Sequence, residues 1–160
     1  MKLLKVTKHQ GYSLVEIMIV IIIMSFLFVG GFTQYRDFSR RQMLSNAADE
    51  LRSNLNLARQ LALSGEKEGV CPLLETLLAY KVTFTSTSYS ITAVCSTTLP
   101  SARTVINLVE TVRFTTNPTE IKYNVLGKGV SITGSSSIIL NQTSTGNNFT
   151  LTVNTQGVVQ

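Results

Sequence analysis

A single acidic residue, Glu16, stands at the start of an otherwise apolar run of membrane length. The run begins at Ile17 and carries no charge before Arg36. A carboxylate in hydrocarbon costs roughly 2.5 to 3.5 kcal/mol on insertion scales, so such a residue marks a functional position that needs a partner. We therefore predict an apolar helix over residues 12–35, with Glu16 neutralised by a cationic group.

The residues around Glu16 resemble the signal of a known family. A basic leader, residues 1–11, ends in Gly11 and is followed by an aromatic residue, the sequence Ser-Leu-Val-Glu and the apolar run. This order resembles the class III signal of type IV pilins and type II secretion pseudopilins. The resemblance implies that a prepilin peptidase cleaves after Gly11 and methylates the new amino terminus at Tyr12, where the family usually has Phe.

Cleavage at that position would explain the acidic residue. The new amine of Tyr12 would lie one helical turn before Glu16, close enough to offset its charge within the chain or from a neighbouring chain. The resemblance implies that Glu16 sets the register of assembly. It also implies four partners: prepilin peptidase, other pilin or pseudopilin subunits, an inner-membrane assembly platform and, before assembly, membrane lipid. No cofactor is expected.

Two other interpretations of the apolar run give different predictions. A secretory signal peptide has a small-residue cleavage site after its apolar region. In this chain Gly11 precedes the run, and no Ala-x-Ala-like site follows Val29. A plain membrane anchor stays open, because the run has roughly the 20 residues needed to span a bilayer. It would leave Glu16 without a role.

The glycine pair Gly30-Gly31 lies within the predicted helix. Each glycine costs roughly 1 kcal/mol relative to alanine in a helix interior, which predicts a local soft spot. Pilins similar to this chain often have a helix-weakening proline near this depth, and in this interpretation the pair takes its role. The alternative is that the small residues allow close packing between helices in the membrane.

The rest of the chain predicts an α+β fold. Leucine and alanine residues spaced four and three apart line one face of an amphipathic second half of the helix, and its charged residues fall mostly off that face, where they meet solvent or neighbouring subunits. From Tyr80 onward the pattern changes to short segments rich in Thr, Val and Ile, typical of strands. We expect a mostly antiparallel sheet, or two small sheets, packed against the amphipathic half. The apolar face is formed by Leu44, Ala48, Leu51, Leu55, Ala58 and Ala62.

Four consecutive segments are predicted. They are a cleaved leader (1–11), a transmembrane or filament-core helix (12–35), an amphipathic helix (36–65) and an exported β-rich domain (66–160). Within the last segment, turn signals at Asn117-Pro118 and at Gly134 predict breaks between strands. The first turn is expected to separate strands 111–115 and 121–126, and the second to separate strands 130–133 and 137–141.

Charge and composition indicate where these segments lie. The formal net charge is +5, and loss of the three leader lysines would leave 11 basic and 9 acidic residues, a weak argument for an acidic partner. Positive charges on the two sides of the apolar run nearly balance. The stretch from Val130 to Gln160 is uncharged and rich in Ser, Thr, Asn and Gly, which suits an exported domain. We therefore expect a single-pass inner-membrane protein with a cytoplasmic amino terminus, which later enters a periplasmic or extracellular filament.

Cysteine and histidine usage argues against catalytic and metal chemistry. Cys71 and Cys95 are the only cysteines, and an even count in an exported domain predicts a disulfide, with two buried reduced thiols as the alternative. His9, the only histidine, lies in the leader, which removes the usual base for a Ser or Cys nucleophile. These three residues cannot supply the four ligands of a closed metal site. We predict neither an enzyme nor a metal protein.

Two functions are compatible with the sequence. The segments Ala48-Asp49-Glu50-Leu51, Leu57-Ala58-Arg59 and Gly157-Val158-Val159 are similar to those of H-type minor pseudopilins and related minor pilins. This resemblance implies a minor structural subunit that assembles into a helical filament. The alternative is a minor pilin that captures DNA for natural transformation, which needs a basic surface. The uncharged carboxy-terminal stretch argues against nucleic acid as a partner. The basic residues available for it are Arg103, Arg113, Lys122 and Lys128.

Overall fold

The computed structural model describes residues 12–67, 71–72, 74–97 and 101–160, of which 29–33 and 101–103 are described by their backbone alone. The leader 1–11, with the predicted cleavage position at Gly11 and the histidine His9, lies outside the described residues. The described residues form one long α-helix and six β-strands, which is the predicted α+β class. The chain divides into two compact units after Phe38.

Helix α1 (Leu14–Ser64) has nearly its predicted bounds. Glu16 lies in its first turn, where a negative charge interacts favourably with the helix dipole. The helix ends at Ser64, the next residue, Gly65, has a φ of 66°, and the Glu66 amide donates a hydrogen bond of 3.3 Å to the Leu61 carbonyl oxygen. This is the Schellman arrangement, in which a glycine in the left-handed conformation closes the last turn.

In the first unit, α1 continues through the pair Gly30-Gly31, and the soft spot at this pair stays a prediction. The large apolar side chains from Leu14 to Phe28 are exposed. Among the described residues, no helix is both long enough and apolar enough to cross a membrane. The predicted span at residues 12–35 is therefore not confirmed, and the predicted segment boundaries stay predictions.

The second unit contains one sheet of six strands, β1 (Leu77–Phe84), β2 (Ser88–Cys95), β3 (Ser101–Asn107), β4 (Val112–Asn124), β5 (Val130–Gln142) and β6 (Asn148–Thr152). Their order across the sheet is β3-β2-β1-β4-β5-β6, and every neighbouring pair is antiparallel. The expectation of an antiparallel sheet is confirmed, as one sheet and not two small ones. After β6 the chain turns back, and the backbones of Thr152 and Gln160 exchange two hydrogen bonds of 2.9 Å.

The two turns predicted inside the later part of the sheet are wrong. Strand β4 runs unbroken past Asn117 and Pro118, and β5 runs unbroken past Gly134. Pro118 and Gly134 are register partners at a point where the β4–β5 pairing shifts. A bulge accepts a proline, which cannot donate to the ladder, and a glycine at positive φ, here 98°. Both residues therefore mark an irregularity within paired strands.

The core of the second unit lies between the apolar face of α1 and one face of the sheet. Every residue predicted to line that helix face is buried. Tyr80, Tyr89 and Tyr123 of the sheet are fully buried in the same cluster. Tyr80 donates its hydroxyl to the Glu66 carbonyl oxygen at 2.6 Å, and Asn54 Nδ2 donates to the Tyr89 hydroxyl oxygen at 2.8 Å. These two bonds tie the sheet to the helix and to the segment that follows it.

We expect this fold to lose stability above pH 10. Burial raises the pKa of both Tyr89 and Tyr123 from 10.0 to about 12. The hydrogen bond from Asn54 lowers the pKa of Tyr89, and the charge of Arg59 lowers the pKa of Tyr123, but burial has the larger effect in both. The unfolded chain releases these protons near pH 10, whereas the folded chain keeps them until about pH 12. The free energy of unfolding therefore falls as the pH rises between these values, by on the order of 2 kcal/mol for each ring.

Urea unfolding of the full chain at pH values from about 8 to 12 measures this fall. Because the Tyr123 hydroxyl has no hydrogen-bond partner among the described residues, Tyr123→Phe removes one titrating group without breaking a bond. We expect this variant to lose about half as much stability as the wild type over the same range. An equal loss in the two proteins would contradict the assignment to Tyr123.

Candidate functional site

The predicted processing and assembly residues lie at the start of α1. Tyr12 and Ser13 precede the helix, and the Ser13 carbonyl oxygen accepts a hydrogen bond of 3.2 Å from the Ile17 amide. Tyr12 is 78% exposed, and Glu16, one turn further along, is also exposed. Glu16 forms no ion pair with any residue that the structure describes. Its carboxylate is accessible to a cationic group from outside, and its role in assembly stays a prediction.

Glu16 lies within a continuous apolar surface on the first unit. Exposed large apolar side chains cover α1 from Leu14 to Phe28. Ser25, the other polar residue of this stretch, donates its hydroxyl to the Ile21 carbonyl oxygen at 2.7 Å, so its polar group is satisfied within the helix. Monomeric soluble proteins rarely expose so large an apolar surface, which marks contact with protein or lipid. Glu16 is then the one polar group of this surface that needs an external partner.

Cys71 and Cys95, the predicted pair, are joined by a disulfide with their Cα atoms 5.9 Å apart. The bond links the segment after α1 to the last residue of β2. The two cysteines are 24 residues apart in sequence, and closing a loop of that length contributes about 3 kcal/mol in the chain-entropy model. Because the two sulfur atoms are bonded, the alternative of two reduced thiols is wrong. The bond stabilises the fold and so has a structural role.

Metal binding and nucleic-acid binding were the other functions considered from the sequence, and the described residues do not form a compact site for either. No three His, Cys, Asp or Glu side chains there are placed to hold a metal ion. Arg113 and Lys122, considered for nucleic acid, lie near opposite ends of β4, about 30 Å apart at the strand rise. Lys128 follows the Lys122 end of the strand, and Arg103 lies in β3. Arg113 and Lys122 are thus too far apart to form one compact basic site.

Sequence reasoning missed a cleft at the carboxy-terminal end of α1. Its volume is about 290 Å³, and it is lined by the end of α1, the end of β4, the turn before β5 and the segment after β6. Arg59 is its one charged lining residue among those described, and Tyr123 lies beside it. The sequence carried a signal for the basic face of α1 but not for the cleft itself, because Arg41, Arg52 and Arg59 are spaced 11 and 7 residues apart, which puts them on one line of a helix.

The amino-terminal segment matches a known sequence family. Residues 6–32 match the family model described as the prokaryotic N-terminal methylation motif. The matched range includes Gly11, Tyr12, Glu16 and the glycine pair Gly30-Gly31. No match was found among curated proteins or among solved structures. The match therefore bears on the residues before α1 and on the first part of this helix.

Proposed function

We propose that this chain is a minor structural subunit of a type IV pilus or a type II secretion pseudopilus, because its N-terminal methylation motif is similar to the class III prepilin signal of type IV pilins and pseudopilins. Prepilin peptidase processes the chain, which then assembles with other subunits into a helical filament. One observation carries the proposal: the motif coincides with a lone acidic residue, Glu16, in the exposed apolar start of α1.

Burial of the apolar helix surface between subunits supplies the driving force for assembly. Removing apolar surface from water contributes about 25 cal/mol per Å², and Phe26 and Phe28 are 78% and 77% exposed in the isolated chain. Burial also removes water from Glu16, whose charge then needs compensation. The methylated amine of Tyr12 on an adjacent subunit is the proposed partner. Their pairing fixes the axial register, since an unpaired buried carboxylate penalises every other alignment.

Before assembly, the precursor is held in the inner membrane as a single-pass protein with its amino terminus in the cytoplasm. The signal motif implies a membrane-anchored precursor, and the uncharged stretch from Val130 to Gln160 suits an exported domain. A disulfide between Cys71 and Cys95 is favoured in an oxidising compartment outside the cytoplasm. The inner-membrane assembly platform then extracts the subunit into the filament.

The assignment as a minor subunit is supported by the similarity of residues along α1 and at the end of the chain to those of H-type minor pseudopilins and related minor pilins. DNA capture, the other candidate, would need several phosphate contacts from one basic surface. The wide separation of Arg113 and Lys122 along β4 does not favour it. We therefore retain the structural function.

Processing between Gly11 and Tyr12 is the first test of this function. In cells with an active prepilin peptidase, intact-mass and amino-terminal peptide analysis should show Tyr12 as the first residue, carrying one added methyl group. The same chain from cells without the peptidase serves as the control and should keep its leader. A chain that retains Met1 beside an active peptidase would contradict the family-based function.

A further inference from the structure

The cleft at the end of α1 is lined by two residues, Arg59 and Tyr123, whose side-chain donors have no partners among the described residues. Arg59 is half-buried and forms no ion pair there. Tyr123 is 1% exposed, and its hydroxyl makes no hydrogen bond. A buried hydroxyl that has lost water without gaining a partner costs stability. An acceptor that reached either group would therefore relieve this cost.

Both groups are donors at neutral pH. Burial raises the pKa of Tyr123 to about 12, so its hydroxyl keeps its proton. The Arg59 guanidinium has five N–H donors and no acceptor. No acidic side chain is among the described residues that line the cleft. The complementary ligand is therefore an anionic acceptor.

The size and walls of the cleft select among anions. Its volume of about 290 Å³ is at the lower limit for a pocket that takes a small molecule or cofactor, and it suits a single side chain. Leu63 and Val130 supply apolar wall, which suits the methylene stem of an acidic side chain. The Tyr123 hydroxyl has almost no accessible surface, so an incoming carboxylate contacts the half-buried Arg59 guanidinium first and reaches the hydroxyl only when the cleft wall shifts.

A row of positive charge leads to the cleft. Arg41, Arg52 and Arg59 lie within about 20° of one line along α1 and extend over about 27 Å. None of the three forms an ion pair with a described residue, and the buried Nε of Arg52 has no hydrogen-bond partner there either. Asp49 and Glu50 lie about 60° or more away from this line around the helix. The arginine row, defined by these three arginines, therefore complements a negatively charged surface, and the cleft at its end, which suits a single side chain, favours an acidic polypeptide over nucleic acid.

We propose that this cleft binds the carboxylate of a Glu or Asp side chain from a partner polypeptide whose acidic surface lies along the arginine row. The Arg59 guanidinium donates the first hydrogen bonds, and the Tyr123 hydroxyl adds one when the cleft wall shifts to expose it. Identification of the partner as a neighbouring filament subunit rests on the proposed function, whereas carboxylate binding by the cleft does not.

The direct test uses the full chain in an uncharged detergent with three probes. They are the peptide acetyl-Gly-Glu-Gly-amide, its Gln analogue and inorganic phosphate. NMR of ring-labelled tyrosine reports occupancy through the Tyr123 resonance, which is assigned by its loss in Tyr123→Phe. We expect the Glu peptide to shift this resonance and to bind about tenfold more tightly than the Gln peptide, because charge-assisted bonds to Arg59 are lost with the neutral probe.

Substitutions at Arg59 and at Tyr123 measure separately how much each side chain contributes to binding. Arg59→Met should weaken binding of the Glu peptide about tenfold, with partial rescue in Arg59→Lys. Tyr123→Phe should weaken binding less, and its Tm should be unchanged or higher, because no existing hydrogen bond is removed. Arg113→Met, at an exposed arginine on β4 outside the cleft, is the matched control and should bind like the wild type.

Several results would overturn the proposal. Equal affinity for the Glu and Gln peptides, or undiminished binding of the Glu peptide to Arg59→Met, would show that the cleft is not a carboxylate site. Tighter binding of phosphate than of the Glu peptide would assign the cleft to phosphate. A lower Tm in Tyr123→Phe would show that the hydroxyl already has a structural partner.

The identity of the partner needs a separate measurement, the amount of subunit in sheared filaments. Arg59→Met should enter filaments less efficiently than the wild type although its leader is cleaved normally. If the wild type itself never enters filaments, the proposed function fails while the peptide result stands. If wild type and Arg59→Met enter equally, the partner is not a filament subunit.

Discussion

Gly157→Ala is expected to lower the free energy of unfolding by about 3 kcal/mol. Gly157 has a φ of 74°, and alanine in this left-handed region costs roughly 1 to 2 kcal/mol. An added Cβ would lie 2.6 Å from Val130 Cγ2 and 2.7 Å from Tyr123 Cε1. Tyr123 is fully buried and cannot move aside freely, so overpacking adds about 1 to 3 kcal/mol. Urea unfolding of the full chain with an unchanged m-value measures the loss.

The matched control is Gly146→Ala. Gly146 has nearly the same φ, 71°, but an added Cβ there meets no heavy atom within 4 Å. This variant should therefore show the backbone cost alone, about 1 kcal/mol. The difference between the two variants isolates the contact of the last turn with Tyr123 and Val130. Equal losses would show that this turn does not pack on the Tyr123 ring as the structure has it.

Glu16→Ala should nearly abolish entry of the subunit into filaments while leaving membrane insertion intact or improved. Removing the carboxylate relieves part of the roughly 2.5 to 3.5 kcal/mol that a charge costs at the centre of a membrane helix, but it also removes the proposed partner of the Tyr12 amine. Insertion is measured by fractionation and assembly by the amount of subunit in sheared filaments. The two measurements should diverge, which a general folding defect would not produce.

Two further variants test whether charge is what matters at this position. Glu16→Gln keeps the shape of the side chain without its charge and should fail like Glu16→Ala. Glu50→Gln, at an exposed glutamate further along α1, should assemble like the wild type. Normal amounts of Glu16→Ala or Glu16→Gln in filaments would disprove the register role of Glu16.

Sequence patterns located the helix and its buried face because both depend on local spacing. A period of 3.6 residues places Leu44, Leu51 and Ala58 on one side whatever packs against them, and all three are buried. The turn signals at Pro118 and Gly134 misled because proline and glycine also serve in bulges. Only the pairing of β4 with β5, which puts the two residues opposite each other, distinguishes a bulge from a turn.

By itself the sequence determined the signal segment and the disulfide pair. Gly11, Tyr12 and Glu16 are close along the chain, so their spacing carries the motif without any tertiary contact, and two cysteines allow one intramolecular bond. The cleft was decided by the tertiary structure alone. Arg59 comes from α1 and Tyr123 from β4, and the turn at Gly157 packs on the Tyr123 ring. Strand order and the fit of the last turn bring these distant residues together, and no local periodicity encodes either of them.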